Sequence, residues 1–161
     1  MLRVVPSEIN ENKNRRRFEM SNAQRIRRAI RQIDRLWETY LPQLKQLKSD
    51  QRYQEAISLL LELERQDMHI HNLTRQLYPK KQWRRSLEPP YTELTGAILD
   101  SYHSIEWYII KATEALLLNG VTTDAINQLL KGSDYSVERG SSNVLVYRNG
   151  QYLWHIPIRF T

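Results

Sequence analysis

The residues of this chain best suited to chemistry are cations. Arg15, Arg16 and Arg17 form a triplet, and Arg25, Arg27, Arg28, Arg31 and Arg35 follow at spacings that a helix gathers toward one side. A guanidinium presents a planar fork of donors matched to phosphate oxygens. Several of them together give an affinity that depends on salt and is largely blind to base sequence. A second cluster, Lys80, Lys81, Trp83, Arg84 and Arg85, places an indole among four cations. There the ring could stack on an unpaired base while the cations hold the flanking phosphates. Each cluster also has a plain structural reading: a long amphipathic helix needs a charged outer face, and a linker Trp can fold back to cap a core.

Acids and histidines offer less. Glu64, Asp67 and His71 fall at i, i+3 and i+7 with His69 beside them, and Asp100, His103 and Glu106 fall at i, i+3 and i+6. Asp100 three residues before His103 has the spacing by which di-metal helical bundles project two ligands inward. Asp67, Asp100 and His103 are therefore the metal-ligating candidates, but the second pair such a site needs is missing, because Met68 stands three before His71. The pair Glu64/Asp67 interrupts an apolar seam, which implies a buried ion pair, a register device or an exposed edge.

Absences exclude several classes. With no Cys, the chain has no disulfide framework, cysteine nucleophile or thiolate metal site. Five glycines supply neither a phosphate-cradling P-loop nor a dinucleotide fingerprint, and no Gly-x-Ser-x-Gly is present. We expect a non-enzyme with no cofactor.

The elements that must position these residues are mostly helical. Residues 1–20 read as a basic, flexible arm, and Ser21 to Gln24 as a capping box that starts the first helix. Ile26, Ile30, Ile33, Trp37, Tyr40, Leu44 and Leu47 then recur at 4-3-4-3-4-3, a continuous apolar seam. Pro42 within it predicts a kink or a split after Tyr40 or Leu41. A second helix over about 51–77 carries Tyr53, Ala56, Ile57, Leu60, Leu63, Ile70, Leu73 and Leu77. A linker with Pro79, Pro89 and Pro90 leads to a third over about 92–118, which Asn119-Gly120 stops. Thr122 or Thr123 caps a short fourth helix that ends near residue 131. The tail changes to period two, and Asn149-Gly150 is a strong hairpin signal. A plain two-residue loop pairs Tyr147 with Tyr152 and Leu145 with Trp154. That puts Leu145, Tyr147, Tyr152, Trp154 and Ile156 on one face, with Val144, Val146, Leu153 and His155 on the other. Apolar on both faces, this hairpin must pack on helices or on another chain.

The predicted fold is thus mainly α: a bundle of three long helices and one short one over 21–131, with a small C-terminal antiparallel hairpin or three-stranded sheet over 132–161 packed on it. Residues 1–85 hold 19 Lys+Arg against 10 Asp+Glu, whereas residues 86–161 hold 5 against 8. The overall charge of +6 therefore conceals a basic first half and a mildly acidic second half. No signal-like apolar run opens the chain, and charged residues interrupt its most apolar stretch, 94–118, so the expected location is cytoplasmic, away from membranes.

This pattern predicts a small basic accessory protein. It contacts DNA or RNA through phosphates at Arg15, Arg16, Arg17, Arg25, Arg28, Arg31 and Arg35, and secondarily at Lys80, Lys81, Trp83, Arg84 and Arg85. Tyr147, Tyr152 and Trp154, with helix three, would engage a protein partner or a second copy. The alternative is a helical scaffold or adaptor with no nucleic-acid role, and a third reading is a metal-dependent helical enzyme using Asp67, Asp100 and His103. A winged-helix arrangement of the C-terminal helix and hairpin fits poorly, since that helix pairs one cation with one acid.

Overall fold

The computed structural model describes residues 6–79 and 87–158, with side chains from residue 22 onward. Four α-helices precede a three-stranded antiparallel sheet: α1 (Pro6–Ser49), α2 (Tyr53–Thr74), α3 (Tyr91–Leu118), α4 (Thr123–Leu130), then β1 (Tyr135–Arg139), β2 (Asn143–Arg148) and β3 (Gln151–Pro157), in the order β1-β2-β3. No described helix is long and apolar enough to cross a membrane.

The seam of α1 forms as its spacing predicts: Ile26, Ile33, Tyr40 and Leu44 are buried, and Ile30, Trp37 and Leu47 are half-buried. Two of its expected limits are corrected. The helix begins at Pro6, not at Ser21, so residues 6–20 continue it where an irregular arm was expected. No Gly or Pro interrupts residues 7–41, and Pro is well tolerated in a first turn, where its missing amide costs nothing. Nor does Pro42 split the helix, which runs unbroken through it to Ser49. Pro42 is exposed, while Tyr40 and Leu44 on either side are anchored in one core, and that burial outweighs one absent backbone hydrogen bond.

Against α1 pack α2 and α3. The larger core joins Tyr40 and Leu44 to Ile57, Leu60 and Leu63 of α2, Ile105, Ile109 and Leu116 of α3, Ile126 and Leu130 of α4, and Val137, Val144, Val146 and Ile156 of the sheet. A smaller core of Ile26, Ala29, Ile33, Ile70 and Leu94 closes the other end. The α2 seam departs from expectation at Leu73, which is 58% exposed. The inward positions there are Asp67, Ile70, His71 and Thr74, which share one helical face and rotate Leu73 off it.

Thr122 caps α4 by accepting from the Ala125 amide at 3.2 Å. Asn127 of α4 treats β1 as a neighbouring strand would: its side chain accepts from the Val137 amide at 2.8 Å and donates to the Val137 carbonyl at 2.9 Å. The hairpin turn forms at Asn149-Gly150, with φ of 53° and 73°, the doubly left-handed turn that suits Asn-Gly.

Its register is not the plain one. Arg148 pairs with Gln151 and Tyr147 with Tyr152, but Val146 pairs with Trp154, Leu145 with His155 and Val144 with Ile156. The shift between Val146 and Tyr147 leaves Leu153 as the extra residue of a bulge. Because side chains alternate with period two, that one residue moves Trp154 and Ile156 to the face of Val144 and Val146 and leaves Leu145 opposite His155. The drive is burial: Ile156 is 1% exposed only in this register, in which it joins the helices. Ile156→Ala should therefore cost about 2–5 kcal/mol and Leu145→Ala less than about 1.5 kcal/mol, measured by urea unfolding. Equal losses would argue for the unbulged pairing.

Candidate functional site

Two arrangements of polar groups stand out, one open and one sealed. The open one lies between α1 and α2. Two adjoining clefts of about 700 and 520 Å³ share Gln32, Ile70 and Leu73 and make one groove. Arg25, Arg28 and Arg35 of α1 and Arg65 and His69 of α2 line it, with no Asp or Glu in the lining. Among the described side chains, the exposed carboxylates of α1, Asp34 and Glu38, lie outside it. Arg28, Arg35 and Arg65 are exposed and form no ion pair with a described residue. Between Arg25 and Arg35 the helix rises about 15 Å, the span of roughly four phosphates along one strand of a duplex.

The sequence-predicted cations therefore divide. Arg25, Arg28 and Arg35 are brought together, while Arg27 and Arg31 are exposed on α1 but do not line the groove. Arg15, Arg16 and Arg17 lie on the backbone of α1 with side chains outside the described residues, and Lys80, Lys81, Trp83, Arg84 and Arg85 lie wholly outside them. Arg65 was not anticipated. Its signal is that Arg65 and His69 stand one turn apart on the outer side of α2, next to the apolar face that meets α1.

The sealed arrangement centres on Arg148, 6% exposed at the end of β2. Its Nη1 donates to Glu106 Oε1 of α3 at 2.8 Å, and its Nη2 stands 3.7 Å from Glu64 Oε1 of α2. The guanidinium lies over the Tyr102 ring at 3.6 Å and near the Tyr135 ring at 5.0 Å. Burial raises the pKa of Glu64 above the ordinary carboxylate value, against the opposing pull of Arg148. Burial likewise drives the Tyr135 phenol upward, with Glu64 adding to it. Glu64 Oε2, the Tyr135 hydroxyl and Arg148 Nε are buried without a hydrogen-bond partner among the described residues. The buried role of Arg148 is absent from the sequence expectations. The parity of Arg148 with Val144 and Val146 on one strand face is the sequence signal that it points inward.

Nearby, a polar chain crosses the three long helices. Trp37 Nε1 of α1 donates to Ser101 Oγ of α3 at 2.8 Å, and Ser101 donates to Asp67 Oδ1 of α2 at 2.7 Å. His71 Nε2 stands 3.0 Å from Asp67 Oδ2, out of line for a hydrogen bond. Of the metal candidates, Asp67 is consumed by this chain, Asp100 is exposed, and His103 leans on Glu106 at 3.4 Å. Among the described residues no group of three or more His, Asp or Glu side chains could hold a metal ion. On the sheet, Tyr147 is half-buried, whereas Tyr152 and Trp154 are exposed.

The sealed cluster makes two testable demands. Because the folded protein holds the Glu64 proton more tightly than the unfolded chain, this group's stabilising contribution is full below the ordinary carboxylate pKa. It is lost as pH rises through the raised value. Glu64→Gln should flatten that decline in denaturation midpoints measured from acid to neutral pH; an unchanged profile would clear Glu64 of it. Arg148→Met should cost about 3–5 kcal/mol by leaving carboxylates buried without their cation. The combined Glu64→Leu, Glu106→Leu and Arg148→Met variant should recover most of that loss in the same unfolding assay.

Comparison of the chain with models of known protein families, with curated proteins and with solved structures returned no match.

Proposed function

We propose that this protein binds nucleic acid, without enzymatic chemistry, by seating a phosphate backbone in the groove between α1 and α2. One observation carries the reading: Arg25, Arg28, Arg35 and Arg65 converge from two helices on a continuous groove whose lining contains no carboxylate. A helix that needed only a solvated face would not require the second helix to add cations on the same side. Arginine at all four positions favours phosphate over a monodentate acid, because its fork engages two oxygens at once.

The floor gives the groove its limits. Ile70, Leu73, Leu36 and Leu77 are apolar, Tyr40 is buried, and His69 is the one exposed ring of the lining, so bases find no run of aromatic faces to stack on there. Recognition then rests on backbone geometry and charge, and sequence preference is weak.

Fluorescence anisotropy with labelled duplex and single-stranded oligonucleotides tests this across ionic strength. The wild type should lose affinity steeply with salt. The Arg28→Ala, Arg35→Ala and Arg65→Ala combination should bind more weakly and reduce the slope of log affinity against log salt by about 2 to 3. Binding that ignores salt, or a slope that the triple variant leaves intact, would exclude the groove.

A further inference from the structure

A second groove lies at the other end of the bundle, where α1, α2 and α3 meet. Its floor is Leu44, Ala56, Leu60 and Ala112, all buried, and Tyr53, Trp107 and Tyr108 wall it. The cavity is about 330 Å³, near the lower end of the roughly 300–1,000 Å³ typical of ligand clefts, with room for a bulky apolar side chain. Three lysines stand around it, Lys45 and Lys48 from α1 and Lys111 from α3, and no carboxylate lines it. Lys45 and Lys48 form no ion pair with a described residue, and Lys111 reaches Glu114 only at 3.8 Å on an exposed surface. Trp107 at the mouth is 49% exposed, although it is among the largest apolar groups of the chain.

We infer that this groove docks an acidic peptide segment of a protein partner, one that inserts a bulky apolar side chain between Tyr53 and Trp107 while its carboxylates meet Lys45, Lys48 and Lys111. An apolar pocket ringed by cations recognises an acidic-hydrophobic segment by two complementary terms, burial of the anchor and steering by the rim. A nucleic acid fits less well, because Lys111 and Trp154 already cover part of the Trp107 indole and leave a hollow the size of one side chain, not an open stacking platform. The Lys111 ammonium sits over Trp107 at 4.8 Å, Trp154 meets Trp107 edge to face at 6.2 Å, and His155 stacks on Trp154. The groove shares no lining residue with the arginine groove, so the two sites stand or fall separately.

The test uses the full chain and a fluorescein-labelled synthetic peptide of glutamate and aspartate around a central Leu-Leu-Phe, beside the same peptide with serines in place of those three. The first should bind and shift tryptophan emission, and the shift should vanish in Trp107→Phe. The serine peptide should bind at least about tenfold more weakly, as should the first peptide to Lys45→Glu/Lys48→Glu. Both of those lysines are exposed, so the variant should keep the wild-type far-ultraviolet circular dichroism. The Arg28→Ala, Arg35→Ala and Arg65→Ala protein should bind the peptide as the wild type does. No binding of the Leu-Leu-Phe peptide, equal binding of the serine peptide, or the same Trp107-dependent signal from oligothymidylate at lower concentration would each overturn the assignment.

Discussion

A single buried cation ties the sheet to the helices. Arg148 reaches from the end of β2 to Glu106 on α3 and Glu64 on α2, against the rings of Tyr102 and Tyr135. A guanidinium that far from water is tolerated only where carboxylates and aromatic faces replace its hydration. Its place therefore fixes which face of β2 turns inward, and with it the burial of Val144 and Val146. The bulge at Leu153 follows from the same demand, since Ile156 reaches the core only if β3 gains one residue on β2. Glu64 and Asp67, which break the apolar seam of α2, are the helix's side of this arrangement: one faces Arg148 and the other Ser101.

Polar burial on this scale costs desolvation free energy, and apolar packing around it must offset that cost. Two cores supply it, one at each end of α2, with the chain Trp37–Ser101–Asp67 between them. Such a network tolerates few alternative packings, because any sliding of one helix leaves a donor or acceptor without its partner. Register between α1, α2 and α3 is thereby set by geometry as well as by volume. The outer surfaces are then free to differ: arginines face the groove at one end, and lysines ring an apolar hollow at the other.

Much of the fold was legible in the sequence because periodicity and turn chemistry are local. The 3-4 spacing from Ile26 to Leu47 marks the buried face of α1, Thr122 marks the start of α4, and Asn149-Gly150 marks the hairpin. The failures are equally physical. The Ser21 to Gln24 box looks like a helix start only if nothing upstream is helical. Pro42 looks like a break only if no core holds both sides of it. Leu73 reads as a seam residue by hydropathy, but Asp67, His71 and Thr74 occupy the inward face because they have partners or packing there.

The same division holds for the candidate sites. A basic first half, arginines that share one helix, and four helices ahead of a small antiparallel sheet are all readable along the chain alone. Packing alone shows that Arg65 of α2 lines one groove with Arg25, Arg28 and Arg35, that Lys45, Lys48 and Lys111 ring one apolar hollow, and that Arg148 is a buried ion-pair partner. The reason is range. Helical and strand periods act over a few residues, so one stretch of chain suffices to read them. A groove or a buried ion pair is made by side chains that are neighbours only because hydrophobic burial brought distant segments together, and no local pattern records which segments will meet.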